Sequence, residues 1–291
     1  MPGNMSYSGR IIDIHTHVQP ATVIADRRPF VETEPDFKTL YENPKYTLSS
    51  SRDVLKHMEQ CGVEASVILG FAWRDPKLLA MHNDMILADC RKQHPGLYGF
   101  TCIYPFAPGR GAADEAERCL DAGASGIGEV GLYDRDLDTE YIDAMEPVMK
   151  AALEREKPVM MHVNEPIGHN YSGKAPMTIS GIYNFVKAYP DNRIILAHWG
   201  GGLFFFHSLK KEAKQLLKNV WYDSAASPYL YDKTIWKTAV DIIGPERILL
   251  GTDFPLLSID RYIKELDASG LGREELEMIC CRNAEGLLNL D

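Results

Sequence analysis

The stretch Ile11-Ile12-Asp13-Ile14-His15-Thr16-His17-Val18 decides how the rest of the chain is read. It is a run of apolar, mostly β-branched residues that ends in two histidines one residue apart. The apolar part has the composition of a buried strand. On a strand, residues i and i+2 point to the same side, so His15 and His17 face one way together. Side by side, two imidazoles present a pair of ligands to one metal ion. One pair alone is weak evidence, and the other ligands must come from elsewhere in the chain.

Working outward, the strand is the first of a series. The runs are RIIDIHTHV (10–18), ASVILGF (65–71), LYGFTCIYP (97–105), ASGIGEVGL (124–132), PVMMHVNE (158–165), RIILAHWGG (193–201), VWYDSAA (220–226) and RILLGTDFP (247–255). Each is short, apolar and bounded by Gly, Pro or polar residues, as buried parallel strands are. The segments between them read as helices. SRDVLKHMEQCG (51–62) offers Ser51 as an N-cap and Gly62 as a stop, and TEYIDAMEPVMKAALEREK (139–157) is a second example. Repeated strand–helix alternation predicts a (β/α)8 TIM barrel. A doubly wound open sheet carries a Gly-rich phosphate loop after its first strand. Here that strand ends in His-Thr-His, which argues against it.

The 291 residues suit this architecture, since an α/β barrel takes about 250. One domain over 1–291 is expected, with a long loop insertion at about 19–50 that contains Pro20, Pro29, Pro35 and Pro44. A second long connection is EPIGHNYSGKAP (165–176). Both would lie at the C-terminal face of the strands, where barrel loops shape substrate pockets.

The net charge of -10 argues against a nucleic-acid or anionic-membrane partner and for a small-molecule substrate. The six cysteines form no CxxC motif, and they read as reduced thiols. With no apolar leader and no run long enough to span a bilayer, the expected location is cytoplasmic. LFFFHSL (203–209) is an apolar patch that suits either core packing or a homodimer interface.

Candidate ligands then fall at equivalent places. His15 and His17 end the first strand, Glu129 the fourth, His162 the fifth, His198 the sixth and Asp253 the eighth. A lone buried histidine is more often a hydrogen-bonded core residue, and a lone Asp before a helix is often a cap. The shared register changes that balance. All six groups stand at the same mouth of one barrel, where several imidazoles and carboxylates together call for a cation. Such donors suit a divalent metal: zinc first, with manganese or iron as alternatives. The remaining histidines His57, His82, His94 and His207 lie in helical segments and read as packing or surface residues.

This pattern resembles the amidohydrolase superfamily of metal-dependent barrels. HWGGG after strand six, RILLGTDFP at strand eight and the closing NAEGLLNL are similar to its amidohydrolase-2 branch, which includes the aminocarboxymuconate-semialdehyde decarboxylase-like enzymes. The resemblance runs from Arg10 to Leu290. It implies that His15, His17 and Asp253 hold the metal, with His162 as a further ligand. It also implies that His198 orients the substrate, acts as acid or base, or ligates a second ion, and that Asp253 shuttles a proton. Many superfamily members carry a carboxylated lysine on strand four that bridges two metals, where this chain has Glu129. One ion is therefore the default, and Glu129 as a further ligand leaves room for a second.

The leading expectation is hydrolysis of an amide, lactone or C–N bond in a small cyclic or carboxylated molecule by metal-activated water. The alternative is a non-oxidative decarboxylase, or a hydratase, acting on a small aromatic or unsaturated acid. A purely structural metal ranks below both, because structural zinc sites are usually closed by cysteines. For substrate contacts the expected residues are Arg74, Trp73, Tyr104, His169, Asn164 and Trp199, all shortly after strand ends.

Overall fold

The computed structural model describes residues 7–93 and 96–290, and His94 lies outside them. Eight parallel strands form one sheet in the order β1 to β8. They are Ile12–His17, Ala65–Leu69, Leu97–Thr101, Gly126–Val130, Val159–Met161, Ile194–Leu196, Val220–Asp223 and Ile248–Leu249. Backbone bonds close the ring between the chain after β8 and β1. Ile14 N–H donates to the Leu250 carbonyl (2.9 Å), Asp253 N–H to that of His15 (2.9 Å) and His17 N–H to that of Phe254 (2.7 Å). With helices between the strands, this is a (β/α)8 TIM barrel.

The two faces of the strands fill differently. Ile12, Ile14, Val67, Leu69, Phe100, Met160, Ile195 and Leu249 pack together with Ala284 and Leu287 of the last helix, Asn283–Leu288. Ile68, Ile127, Val159, Met161, Leu196 and Tyr222 join the larger cluster under the surrounding helices. Helix Ser51–Cys61 shows how local sequence sets an element. Ser50, one residue before the cap expected from sequence, accepts from the Asp53 N–H, and the Asp53 side chain accepts from the Ser50 N–H. Gly62 ends the helix at φ 68°. Its face Val54, His57, Met58 and Cys61 is buried.

The segment after β1 is not an open loop. It holds three short helices, Ala21–Ala25, Arg28–Thr33 and Pro35–Tyr41. The patch 203–209 divides: Leu203, Phe204 and His207 are buried, whereas Phe205 and Leu209 are exposed. His57 stacks on Phe254, His82 accepts the Trp73 indole N–H and His207 meets the Tyr222 hydroxyl. No helix among the described residues is long and apolar enough to cross a membrane.

Candidate metal centre and active site

Simple alternation along β1 would put Ile12 and Ile14 on one face and both histidines on the other. The pairing with β2 shows why that does not happen. Ile12 stands opposite Ala65 and His17 opposite Leu69, with a register shift between Asp13 and Thr16. Ala65 and Leu69 share a face, so one extra residue in β1 carries His17 to the inner side. β4 repeats the device. Ile127 pairs with Val159 and Val130 with Met161, again with a shift between them, and Glu129 turns inward. Bulges of this kind re-aim side chains next to active sites. Gly128 permits the second one. Its φ is 138°, and a Cβ there would stand 2.6 Å from the Met160 carbonyl oxygen.

The other ligand candidates are aimed by strand ends and tight turns. His162 follows β5 directly. His198 and Asp253 adopt left-handed backbone, with φ of 53° and 65°. Non-glycine residues held there store strain that the surrounding structure must hold, a condition that clusters at functional sites. Gly251 allows β8 to approach β1, because a Cβ there would meet the His15 Cβ at 2.8 Å.

The groups meet around Glu129. His15 Nε2 lies 3.1 Å from His17 Nε2, and His17 Nε2 is 2.9 Å from Asp253 Oδ1. Glu129 Oε2 is 3.7 Å from His15 Nε2 and 3.8 Å from His17 Nε2. Its other oxygen, Oε1, is 3.1 Å from His162 Nδ1 and 3.5 Å from His198 Nε2. Two overlapping sets bring ligand atoms within 4.8 Å of one another: His15, His17 and Asp253, and His15, Glu129 and His198. His198, expected to orient the substrate, act as acid or base, or ligate a second ion, thus stands in one of these sets. His162, expected as a ligand, stands outside both, beside Glu129 and the His198 ring.

The hydrogen bonds behind the rings set which nitrogen faces the centre. His15 Nδ1 donates to Asp223 Oδ2 (2.9 Å). His198 Nδ1 donates to the Ala225 carbonyl (2.9 Å), and His162 Nε2 to the Gly173 carbonyl (2.9 Å). In the neutral rings, the remaining nitrogens present lone pairs to one another and to a carboxylate. That arrangement is repulsive unless a cation or added protons stand between them. The donor set fits a divalent cation. In its absence, protons must fill the role. Burial opposes charging His15, yet Asp223 and Glu129 hold it up to about 10. Burial likewise opposes charging His198, and Glu129 holds it up to about 9. Against burial, His162 and His15 keep Glu129 well below the ordinary carboxylate range, and His17 does the same for Asp253.

Sequence reasoning missed two supporting carboxylates. Asp223 ends β7, is fully buried, and accepts from His15, from the His198 N–H and from the Ala225 N–H. Its position in VWYDSAA, at a strand end like the other six, was the available signal. Asp13 accepts from the His15 N–H and from the Thr252 N–H and hydroxyl. It thereby ties β1 to β8 beside the site, and burial pushes its pKa up to about 6.

Above the centre opens a cavity of about 440 Å³. His17, Glu129, His162, His198 and Asp253 face it. Leu40, Tyr41, Tyr46, Phe71, Tyr133, His169, Tyr171, Tyr229, Leu230 and Leu256 form the walls. Of the expected substrate contacts, only His169 lines it. Arg74 is drawn off by Asp36 (2.9 Å) and Asp134 (3.1 Å) and covers Tyr104. Trp73 is fully buried against His82. Asn164 clamps the backbone of Ala175, and the Trp199 indole donates to Ser227. Buried residues just past a strand end serve the loop scaffold as readily as the pocket, and strand position alone does not separate the two.

Known proteins carry the same framework. The chain is 25% identical over 257 residues to Decarboxylase orsB of Emericella nidulans, spanning 72% of this chain and 75% of that protein. The fold matches 5-carboxyvanillate decarboxylase LigW from Sphingomonas paucimobilis with a TM-score of 0.77 at 16% identity, covering 98% of this chain and 100% of that one. It also matches a dihydroxybenzoic acid decarboxylase from Polaromonas sp. JS666, solved with bound manganese and the inhibitor 2-nitroresorcinol. There the TM-score is 0.70 at 18% identity, with 97% of each chain covered. At these identities the two structures speak for the fold. The Amidohydrolase family model (Amidohydro_2) matches residues 12–290, nearly the whole barrel with every ligand candidate inside it, and the chain belongs to the amidohydrolase-2 family of enzymes.

Proposed function

We propose that the protein is a metal-dependent, non-oxidative decarboxylase of a small aromatic acid. This reverses the order expected from sequence, which placed hydrolysis first on the strength of Glu129. The observation that carries the proposal is the cavity. It sets a cluster of imidazoles and carboxylates under walls made mostly of tyrosine, phenylalanine and leucine, a space shaped for a flat ring with one charged end. The names of three relatives agree, since orsB, LigW and the Polaromonas protein are decarboxylases.

His15, His17 and Asp253 would hold the cation, with Glu129 and His198 as further donors and His162 held against Glu129. Asp223 fixes the His15 ring from behind. When bound, the cation supplies positive charge that anchors the substrate carboxylate and draws electron density from the ring. Manganese joins zinc as a leading candidate, because two of these donors are carboxylates. The reaction breaks the bond between the ring carbon and the carboxylate. Its electron pair stays on the ring carbon, CO2 leaves, and a proton takes its place. That proton comes from a group facing the cavity. His198 can hold one at Nε2, because Nδ1 is committed to Ala225 and Glu129 favours the charged ring. Asp253, at the cavity floor beside His17, rests ionised and would act as a relay that takes up a proton before passing it on. The aromatic walls keep water from the ring and favour neutral CO2 over the carboxylate.

Incubating the manganese-loaded protein with 2,6-dihydroxybenzoate and related hydroxybenzoates tests this. Release of CO2 is expected, and in D2O the product should carry one deuterium at the carbon that bore the carboxylate. Cleavage of amides or lactones with no CO2 from any aromatic acid would overturn the proposal. One feature favours hydrolysis as a second reading. The two oxygens of Glu129 face different imidazole sets, as a bridge between two ions would.

Cation and protons compete for the same nitrogens, and this has a sign. The His15 and His198 pKa values lie above the ordinary 6.5. Their contribution to stability of the metal-free protein is full below pH 6.5 and is lost as pH rises through about 9 to 10. Glu129 and Asp253 are depressed, so theirs is present above the ordinary carboxylate values of 4.5 and 3.8 and lost on acidification. Stripped of metal, the site therefore stabilises the fold most between about pH 4.5 and 6.5. Added manganese should raise the melting temperature more at pH 8 than at pH 6. Thermal melts of chelator-treated protein check this, and an equal rise at both values would show no competition.

A further inference from the structure

Among the described residues, no arginine or lysine lines the cavity. The cations placed near its rim are already engaged. Arg74 pairs with Asp36 at 2.9 Å and Asp134 at 3.1 Å. Lys174 lies 3.3 Å from Glu165 and donates to the carbonyls of Ile167 and His169. Arg27 donates to the carbonyls of Tyr41 and Tyr46, holding those two wall residues in place. The remaining charge-bearing groups that line it are the carboxylates and imidazoles of the cluster and His169 in the wall.

Resting on the decarboxylase reading, we infer that the cavity selects by charge and admits an aromatic monocarboxylate while rejecting a dicarboxylate. One carboxylate has a place at the centre. A second, elsewhere on the ring, would lie against Phe71, Tyr46 or Leu256 with no cation to meet it. An uncompensated charge moved from water into an apolar wall is strongly disfavoured. The selection is a property of wall composition, so one well-placed cation should relax it. Leu256 is the place for it. It lines the cavity yet is 42% exposed, so an arginine there can reach inward without disturbing the core.

Calorimetric binding to the manganese-loaded protein tests this with two probes that differ by one carboxylate, 2-hydroxy-3-methoxybenzoate and 5-carboxyvanillate. The monocarboxylate is expected to bind at least ~100-fold more tightly. In Leu256→Arg the gap should narrow by about tenfold, as one new ion pair in a partly exposed site permits. Equal or tighter binding of 5-carboxyvanillate overturns the inference, as does failure of the monocarboxylate to bind. A gap unchanged in Leu256→Arg overturns it too, by showing that shape rather than charge sets the preference. Because the readout is binding, the decarboxylase reading fails separately. If the preference stands but no CO2 appears from any aromatic acid, the reaction is reassigned and the charge selection remains.

Discussion

Replacing His15 and His17 together with alanine should abolish metal uptake. The two imidazoles stand 3.1 Å apart at Nε2, and both belong to the set completed by Asp253. Losing them leaves Asp253 alone of one set and Glu129 with His198 of the other. Losing a supporting contact alone typically costs 10–100-fold in metal affinity, and the loss of two direct ligands should exceed ~1000-fold. Elemental analysis of native and variant protein after reconstitution reads this directly. About one equivalent in the native protein, lost in the variant, agrees with a single ion and with decarboxylation. About two equivalents would make Glu129 a bridge and return hydrolysis to first place. An unchanged metal content in the variant would sink the assignment of β1 as the ligand strand. The variant is expected to fold, because both rings lie at the mouth rather than in the apolar interior built on Ile12, Val67 and Met160.

Asp253→Asn and His198→Asn should each lower kcat by roughly 100- to 10,000-fold, the range a positioned acid or base supplies. The two variants separate the roles. His198 reaches the centre through Nε2 while its ring is held by the Ala225 carbonyl. Asp253 lies against His17 at 2.9 Å. If His198 carries the proton, His198→Asn should keep most of its metal, lose turnover and slow deuterium incorporation in D2O. If Asp253 carries it, Asp253→Asn should show that pattern, with metal content reduced as well because Asp253 is also a ligand. Two variants that both keep full turnover would exclude either group as the proton source. Side-by-side metal analysis and solvent-isotope measurements make the comparison.

Most of the residues expected to meet substrate stand off the cavity for a common reason. Arg74, Trp73 and Asn164 stand where a barrel enzyme places its substrate contacts, yet each is used by the scaffold: Arg74 by Asp36 and Asp134, Trp73 by His82, Asn164 by the backbone of Ala175. A side chain's partner in space is not readable from its place in a strand–helix unit. The walls that replace them come from Tyr41 and Tyr46 after β1, Tyr171 after β5 and Tyr229 after β7. These residues are far apart in sequence and share no motif. Asp223 was missed differently. It occupies a strand end like the ligand candidates, but its role is to hold His15 from behind, and that role exists only once the closed ring brings β7 within one strand of β1.

The barrel and the ligand types were determined by local chemistry. Short apolar runs cannot stay in water, their spacing leaves room for one helix between each pair, and a closed parallel barrel satisfies both. His15, His17, Glu129, His162, His198 and Asp253 recur at the ends of those runs, and that recurrence needs no coordinates to see. Which way they point was a tertiary decision. Alternation from Ile12 would have sent both histidines outward. The register shifts in β1 and β4 and the left-handed turns at His198 and Asp253 gather four imidazoles around one carboxylate, with Asp253 beside His17. The physical reason lies in the pairing. Register is set by the neighbouring strand and by how closely Gly128 and Gly251 let the backbones approach, and no single segment of sequence holds that information.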